Sequence, residues 1–293
     1  MHKPLVFLLV MAASASLVAA ESLTDPASPL ETVRTEFGMA DGPAWDGAAV
    51  LYVPDVRGEK LFAYRPADKT WSVVFEHSGR ISATYYEHGR LYLSDNGNSA
   101  IAWLDGVEKR VLWRWAGDRP PRPNDLVVDH SGGIYVTLTS VGQVAYVTAE
   151  GQATTAVASL ETPNGITLSP DQRTLYVAAY KPKQIWAYTI TQPGVVSEGR
   201  LWAVMDDGDA PGADGMTIDQ AGNVYCAGAT DVWIWNSAGE LVQKLPCPTR
   251  PINCAFGDPD LRSLYITGLG GVYRQRMLVA GRAPQRDGNR LPP

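Results

Sequence analysis

The chain has 293 residues, 45% of them hydrophobic and 19% charged, with a formal net charge of −6. That balance belongs to a folded globular protein and excludes a disordered one. It leaves no basic footprint, so nucleic acid is not expected as a partner.

In chain order, the first segment reads as a secretory leader. His2 and Lys3 make a short basic start, Pro4 to Leu17 is apolar and small, and Val18-Ala19-Ala20 supplies small residues at the cleavage positions before Glu21. Residues 1–20 are therefore expected to be a signal peptide. The mature protein is expected to be exported, periplasmic or secreted, with no membrane attachment after cleavage. An uncleaved anchor is the alternative, but the run is short for a span and dilutes into Ala and Ser. Residues 21–30 and 282–293 are expected to be flexible ends flanking one domain over 31–281.

Inside that domain an apolar residue followed by Tyr recurs: Leu51-Tyr52, Leu91-Tyr92, Ile134-Tyr135, Leu175-Tyr176, Val224-Tyr225 and Leu264-Tyr265. The tyrosines are about 40 residues apart with one longer gap, the period of a propeller blade. Each copy places a strand, a turn rich in Asp, Gly, Asn or His, and then the tyrosine strand. A third strand alternates aromatics, as in Ile185-Trp186-Ala187-Tyr188 and Val232-Trp233-Ile234-Trp235. Short alternating strands with no long amphipathic segment predict an all-β protein. Six copies of a four-stranded unit predict a six-bladed β-propeller around a central channel. The aromatics are then expected to pack between blades. Thr32 to Phe37 is expected to close the ring as an outer strand beside Gly271 to Arg274. The long interval from Tyr180 to Gly212 is expected to extend a loop near the site.

Only three cysteines are present, so at most one internal disulfide can form. Cys226 with Cys247 is the candidate pair, while Cys254 lies in the apolar run Ile252 to Phe256 and is expected as a buried thiol.

Stepping back ten to twelve residues from each tyrosine, roughly a quarter of a blade period, reaches Asp41, Ser82, Asn124, Asn164, Asp214 and Asn253. First strands line a propeller's channel, so these six would converge at one mouth, every one of them offering an oxygen. Asn and Asp before Gly are also favoured in plain turns. The shared position of Ala40-Asp41-Gly42-Pro43, Pro123-Asn124-Asp125, Pro163-Asn164-Gly165 and Ala213-Asp214-Gly215 favours a common site instead. Such a set suits one hard divalent cation, calcium before magnesium or manganese, and zinc least well. The four histidines fall in the leader or in turns, and no HExxH, GxSxG or phosphate-binding glycine loop is present.

The segments DGPAWDG, RPNDLVVDHSGGIYVT, TPNGITLSPDQRTLYVA, GADGMTIDQAGNVY and NCAFGDPDLRSLYIT span almost the whole mature chain. Together they resemble the senescence-marker-protein/gluconolactonase family, which includes regucalcin and the calcium-dependent lactonases. The resemblance implies a metal held by Asp41, Asn164 and Asp214. It implies Asn124 beside the ion, as ligand or substrate contact, and Arg122 either on substrate or as a solvated loop charge. Ser82 and Asn253 would complete the pocket wall. The chain departs from the family in having Asp41 where Glu is usual. It has Ile81-Ser82-Ala83-Thr84 where Asn-Gly is common, and Val136 to Thr139 where Phe-Thr-Asp-Pro is usual. The implied activity is metal-dependent opening of a sugar lactone or similar lactone, with Asp214 as both ligand and base. A phosphotriester or aryl-ester hydrolase at the same site, or a non-catalytic binding propeller with a structural metal, are the alternatives. A small-molecule substrate and a monomeric state are expected.

Overall fold

The computed structural model describes residues 22–208, 210 and 212–285, so the leader lies outside the described residues. Six antiparallel sheets follow one another along the chain. They form blade 1 (44–76), blade 2 (81–114), blade 3 (126–157), blade 4 (163–204), blade 5 (216–246) and blade 6 (251–276). Glu31–Thr35 supplies the outer strand of blade 6, pairing antiparallel with Gly271–Arg276 so that Glu31 faces Arg274 and Thr35 faces Gly271. This is the six-bladed β-propeller expected from the repeat, closed by its own N-terminal strand, and the described residues contain no α-helix.

The apolar core is divided into six clusters, and each lies between two neighbouring blades. Tyr176 and Trp202 of blade 4 meet Met216 and Trp235 of blade 5. Tyr225 of blade 5 meets Phe256 and Leu264 of blade 6, and Tyr265 meets Leu51 and Tyr64 of blade 1. The aromatic pairs cross the same boundaries: Tyr225 and Phe256 stand edge-on at 5.2 Å, and Trp202 and Trp235 at 6.4 Å. Such pairs add about 0.5–1.5 kcal/mol each beyond the area they bury.

The buried tyrosines also explain the acidic turns. Tyr225 donates its hydroxyl to Asp219 Oδ2 at 2.9 Å, and Tyr265 to Asp258 Oδ1 at 2.7 Å. In blade 3 the third-strand Tyr146 does the same toward Asp129 at 2.8 Å. Asp129 and Asp219 also close their turns by accepting backbone amides, and all three satisfy a phenol that would otherwise be buried unpaired.

Three expectations change. The long interval in blade 4 splits between the two ends of the molecule. Its middle forms an added hairpin, Gln184–Gln192 with Val195–Val196, at the end opposite the ring residues. There Gly194 donates its N–H to Tyr135 of blade 3 at 2.9 Å, so the hairpin clasps blades 3 and 4 away from the ring residues, and Ile190 to Pro193 line a shallow cleft with Asp129, His130 and Gln172. All three cysteines are free, with Cys226 and Cys254 buried and Cys247 half-buried. The thiol of Cys226 instead contacts the carbonyl of Asp214, 3.5 Å away. Finally, the ends described here are pinned. Leu23 donates to Gln243 at 2.8 Å and Thr24 bridges Met277. Arg282 and Gln285 bond Glu87, while 286–293 lie outside the described residues. Backbone groups that find partners on the propeller are held there, whatever their position in the sequence.

Candidate active site at the channel mouth

Each first strand starts at one end of the channel, called here the near end, and runs to the other. Two glycines show why the motifs have their form. A Cβ on Gly165 would lie 2.1 Å from the carbonyl of Asp214, and one on Gly215 would lie 2.0 Å from the Asn253 amide carbon. The Asn-Gly and Asp-Gly pairs therefore let the starts of neighbouring first strands touch, which draws the preceding Asn or Asp toward a common point.

Three carboxylates meet there. Asp41, Asp125 and Asp214 are all buried. Burial pushes Asp41 up to about 7. Asp125 is pushed up to about 8 by burial and by the negative charge of Asp41. Asp214 is raised well above the carboxylate range, first by burial and then by Asp41, with Arg250 opposing. The amide of Asn164 also hydrogen-bonds Asp214 and favours its charged form. Arg250 donates from Nη2 to Asp214 Oδ2 at 3.2 Å and to the Tyr180 hydroxyl at 2.6 Å.

Asn253 is the floor of this arrangement. Its Oδ1 accepts the N–H of Cys254 at 2.8 Å, while Nδ2 donates to Asp125 Oδ2 at 3.1 Å. Blades 3 and 6 face each other across the axis, so this bond spans the channel. Asn253 also hydrogen-bonds Asp41. Beneath it lies a chamber of about 90 Å³ whose lining includes Thr84, Thr167, Thr217 and, at the far end, Arg282. At ~10–15 Å³ per water it has room for several.

Of the residues expected at the ring, Asp41, Asn164, Asp214 and Asn253 come together. Ser82 does not face the channel. Its hydroxyl donates to the carbonyl of Asn124 at 2.6 Å and ties blade 2 to blade 3, as Thr137 ties blade 3 to the carbonyl of Asn164. Asn124 is half-buried and contributes that carbonyl, and its N–H goes to Thr137. Arg122 is exposed and makes no hydrogen bond or ion pair among the described residues.

Two residues were missed. Asp125 occupies the register that is glycine in blades 1, 4 and 5, so an alignment taking one residue per blade selects Asn124 and passes over it. The doubled donor in Pro-Asn-Asp was the available signal. Arg250 lies three residues before Asn253 in Arg-Pro-Ile-Asn, a near copy of Arg122-Pro-Asn, and that likeness could have found it.

The donors of the ring are carboxylate and amide oxygens, with no thiolate or imidazole. Three mutually repelling acids share one guanidinium, a charge imbalance that a cation would relieve. Among the described residues no three Asp, Glu, His or Cys side chains form a metal cluster by themselves. An ion here would therefore draw on amide oxygen and water as well, which hard divalent cations accept.

Known proteins agree with this architecture. A gluconolactonase of Zymomonas mobilis is 26% identical over 89% of this chain and 85% of its own length. A solved gluconolactonase of Xanthomonas campestris superposes with a TM-score of 0.79 at 27% identity, covering 89% of this chain and 92% of that one. A calcium-binding protein, regucalcin, from Agrobacterium tumefaciens shares the fold with a TM-score of 0.77 at 18% identity, covering 87% and 96%. The model of the SMP-30/gluconolactonase/LRE-like region matches residues 39–270, and the chain belongs to this lactonase-type hydrolase family.

Proposed function

We propose that the protein is a divalent-cation-dependent lactonase that opens a sugar lactone or similar cyclic ester. One observation carries the reading: three buried carboxylates converge at the channel mouth with a single guanidinium among them. Asp41, Asn164 and Asp214 would hold the ion, calcium being the best match to oxygen donors. When bound, it would supply Lewis-acid polarisation of the lactone carbonyl. Asp214 accepts the proton of the attacking water at the oxygen that Arg250 does not bond. The water oxygen adds to the carbonyl carbon, the ring C–O bond breaks, and the proton ends on the departing ring oxygen to give the hydroxy acid. The Asp125–Asn253 bridge backs the site, so substrate approaches from the near end. There Arg122 and Asn124 are available to orient it.

The test is a panel of sugar lactones, aryl esters and phosphotriesters given to chelated protein and to protein reloaded with calcium. Lactone hydrolysis that vanishes on chelation and returns with calcium supports the proposal. Turnover of phosphotriesters alone would transfer the site to another ester class, and no turnover of any would leave a binding propeller. Export through the 1–20 leader belongs to the same proposal, checked by N-terminal sequencing of protein recovered from outside the cytoplasm.

A further inference from the structure

Arg250 is the only cationic side chain paired with the carboxylate ring among the described residues. It lies in the loop that leads into blade 6, and its partner Tyr180 follows the second strand of blade 4. A single nitrogen, Nη2, serves both Tyr180 and Asp214, and Nε is buried with no partner among the described residues. The guanidinium carbon also lies 5.5 Å from the centre of the Tyr180 ring. Its side chain is 26% exposed and that of Asp214 only 10%, so water screens the pair poorly. The carboxylate that Arg250 engages is the one read above as a cation ligand, and the inference rests on that reading. A guanidinium and a metal ion on one carboxylate repel each other, the more strongly because the site is desolvated.

We propose that Arg250 is an internal counter-ion: it satisfies Asp214 when no metal is bound and weakens cation binding, so that the ion exchanges with its surroundings. Tyr180 is the anchor that keeps the guanidinium over the ring. Arg250 is thus a positioning residue that sets cation occupancy, while Asp41 and Asp125, which have no cationic partner among the described residues, supply the attraction.

Calorimetric titration of calcium chloride into chelator-treated protein reads this without any substrate. Arg250→Met keeps most of the stem and removes the charge, and is expected to bind calcium about tenfold more tightly or better. Arg250→Lys keeps the charge and is expected to stay within about threefold of the unaltered protein. Melting curves under chelator give a second readout: Arg250→Met melts lower without calcium and gains more when calcium is added. Should Arg250→Met fail to fold, Tyr180→Phe removes the anchor with every charge in place and is expected to tighten binding about two- to threefold. Calcium affinity that is unchanged or weaker in Arg250→Met overturns the counter-ion role and leaves the metal reading standing. Absence of calcium binding in all the proteins overturns both.

Discussion

At the far end of the channel Glu87 has a fully buried side chain with both oxygens engaged. Arg282 donates to one at 2.7 Å, and the N–H of Gln285 to the other at 2.9 Å. Burial still raises Glu87, but the guanidinium opposes it and one acid has one base. At the near end Asp41, Asp125 and Asp214 share Arg250 alone among the described residues, and each is raised by burial, Asp125 and Asp214 also by a neighbouring carboxylate. A buried acid by itself marks nothing. The difference lies in the ratio of acids to bases: a balanced pair closes the far end, and an unbalanced trio is built to receive a charge from outside.

That contrast can be broken from either side. Asp214→Asn is expected to lower kcat for lactone opening by roughly a thousandfold, the range for losing a general base. Its melting temperature without calcium should hold or rise, since a strained buried charge is gone. Undiminished turnover would remove Asp214 from the chemistry. Arg282→Met should show the reverse behaviour. Stranding Glu87 without its partner costs about 3 kcal/mol, or roughly 6–12 °C in melting temperature, while turnover per folded molecule stays the same. Replacing both partners, as Glu87→Gln with Arg282→Met, should recover part of that loss, and a thermal melt decides it.

Acidity separates the ends next. Asp41 and Asp125 have folded values of about 7 and about 8, above the ordinary value of 3.8. The folded, cation-free protein therefore binds more protons than the unfolded chain between those limits. Its stability should fall as pH rises from about 5 to about 8, by several kcal/mol (on the order of 6 if both groups titrate fully), and calcium should flatten the slope. Denaturant titrations at the two pH values, with chelator or with calcium, measure this directly, and a flat profile under chelator would contradict it. The smallest effect is expected at Arg122. Its exposed side chain makes no hydrogen bond or ion pair among the described residues, so Arg122→Ala should leave stability within about 0.5 kcal/mol. A rise in KM with kcat held would assign it to substrate, and no change in either would make it a solvated loop charge.

The features readable in the sequence were those that repeat. Tyrosines at blade spacing reported the propeller because each is the same packing event in successive blades. Asp41, Asn164, Asp214 and Asn253 were readable because each stands at the start of a first strand. What escaped was set by orientation and by contacts distant in sequence. Ser82 has the right position, but its hydroxyl turns into the blade 2–blade 3 seam toward a carbonyl. Asp125 stands where other blades need glycine, and its bond to Asn253 spans 128 residues. Arg250 meets Tyr180 across 70 residues, and Arg282 meets Glu87 across 195. No local pattern announces such pairs.

The proposed lactone opening depends on a cation lying among Asp41, Asn164 and Asp214. The most direct measurement is anomalous diffraction from crystals grown with calcium. The prediction is a single ion at the near end of the channel, within bonding distance of all three residues. An ion bound elsewhere, or a channel mouth without one at saturating calcium, would contradict it.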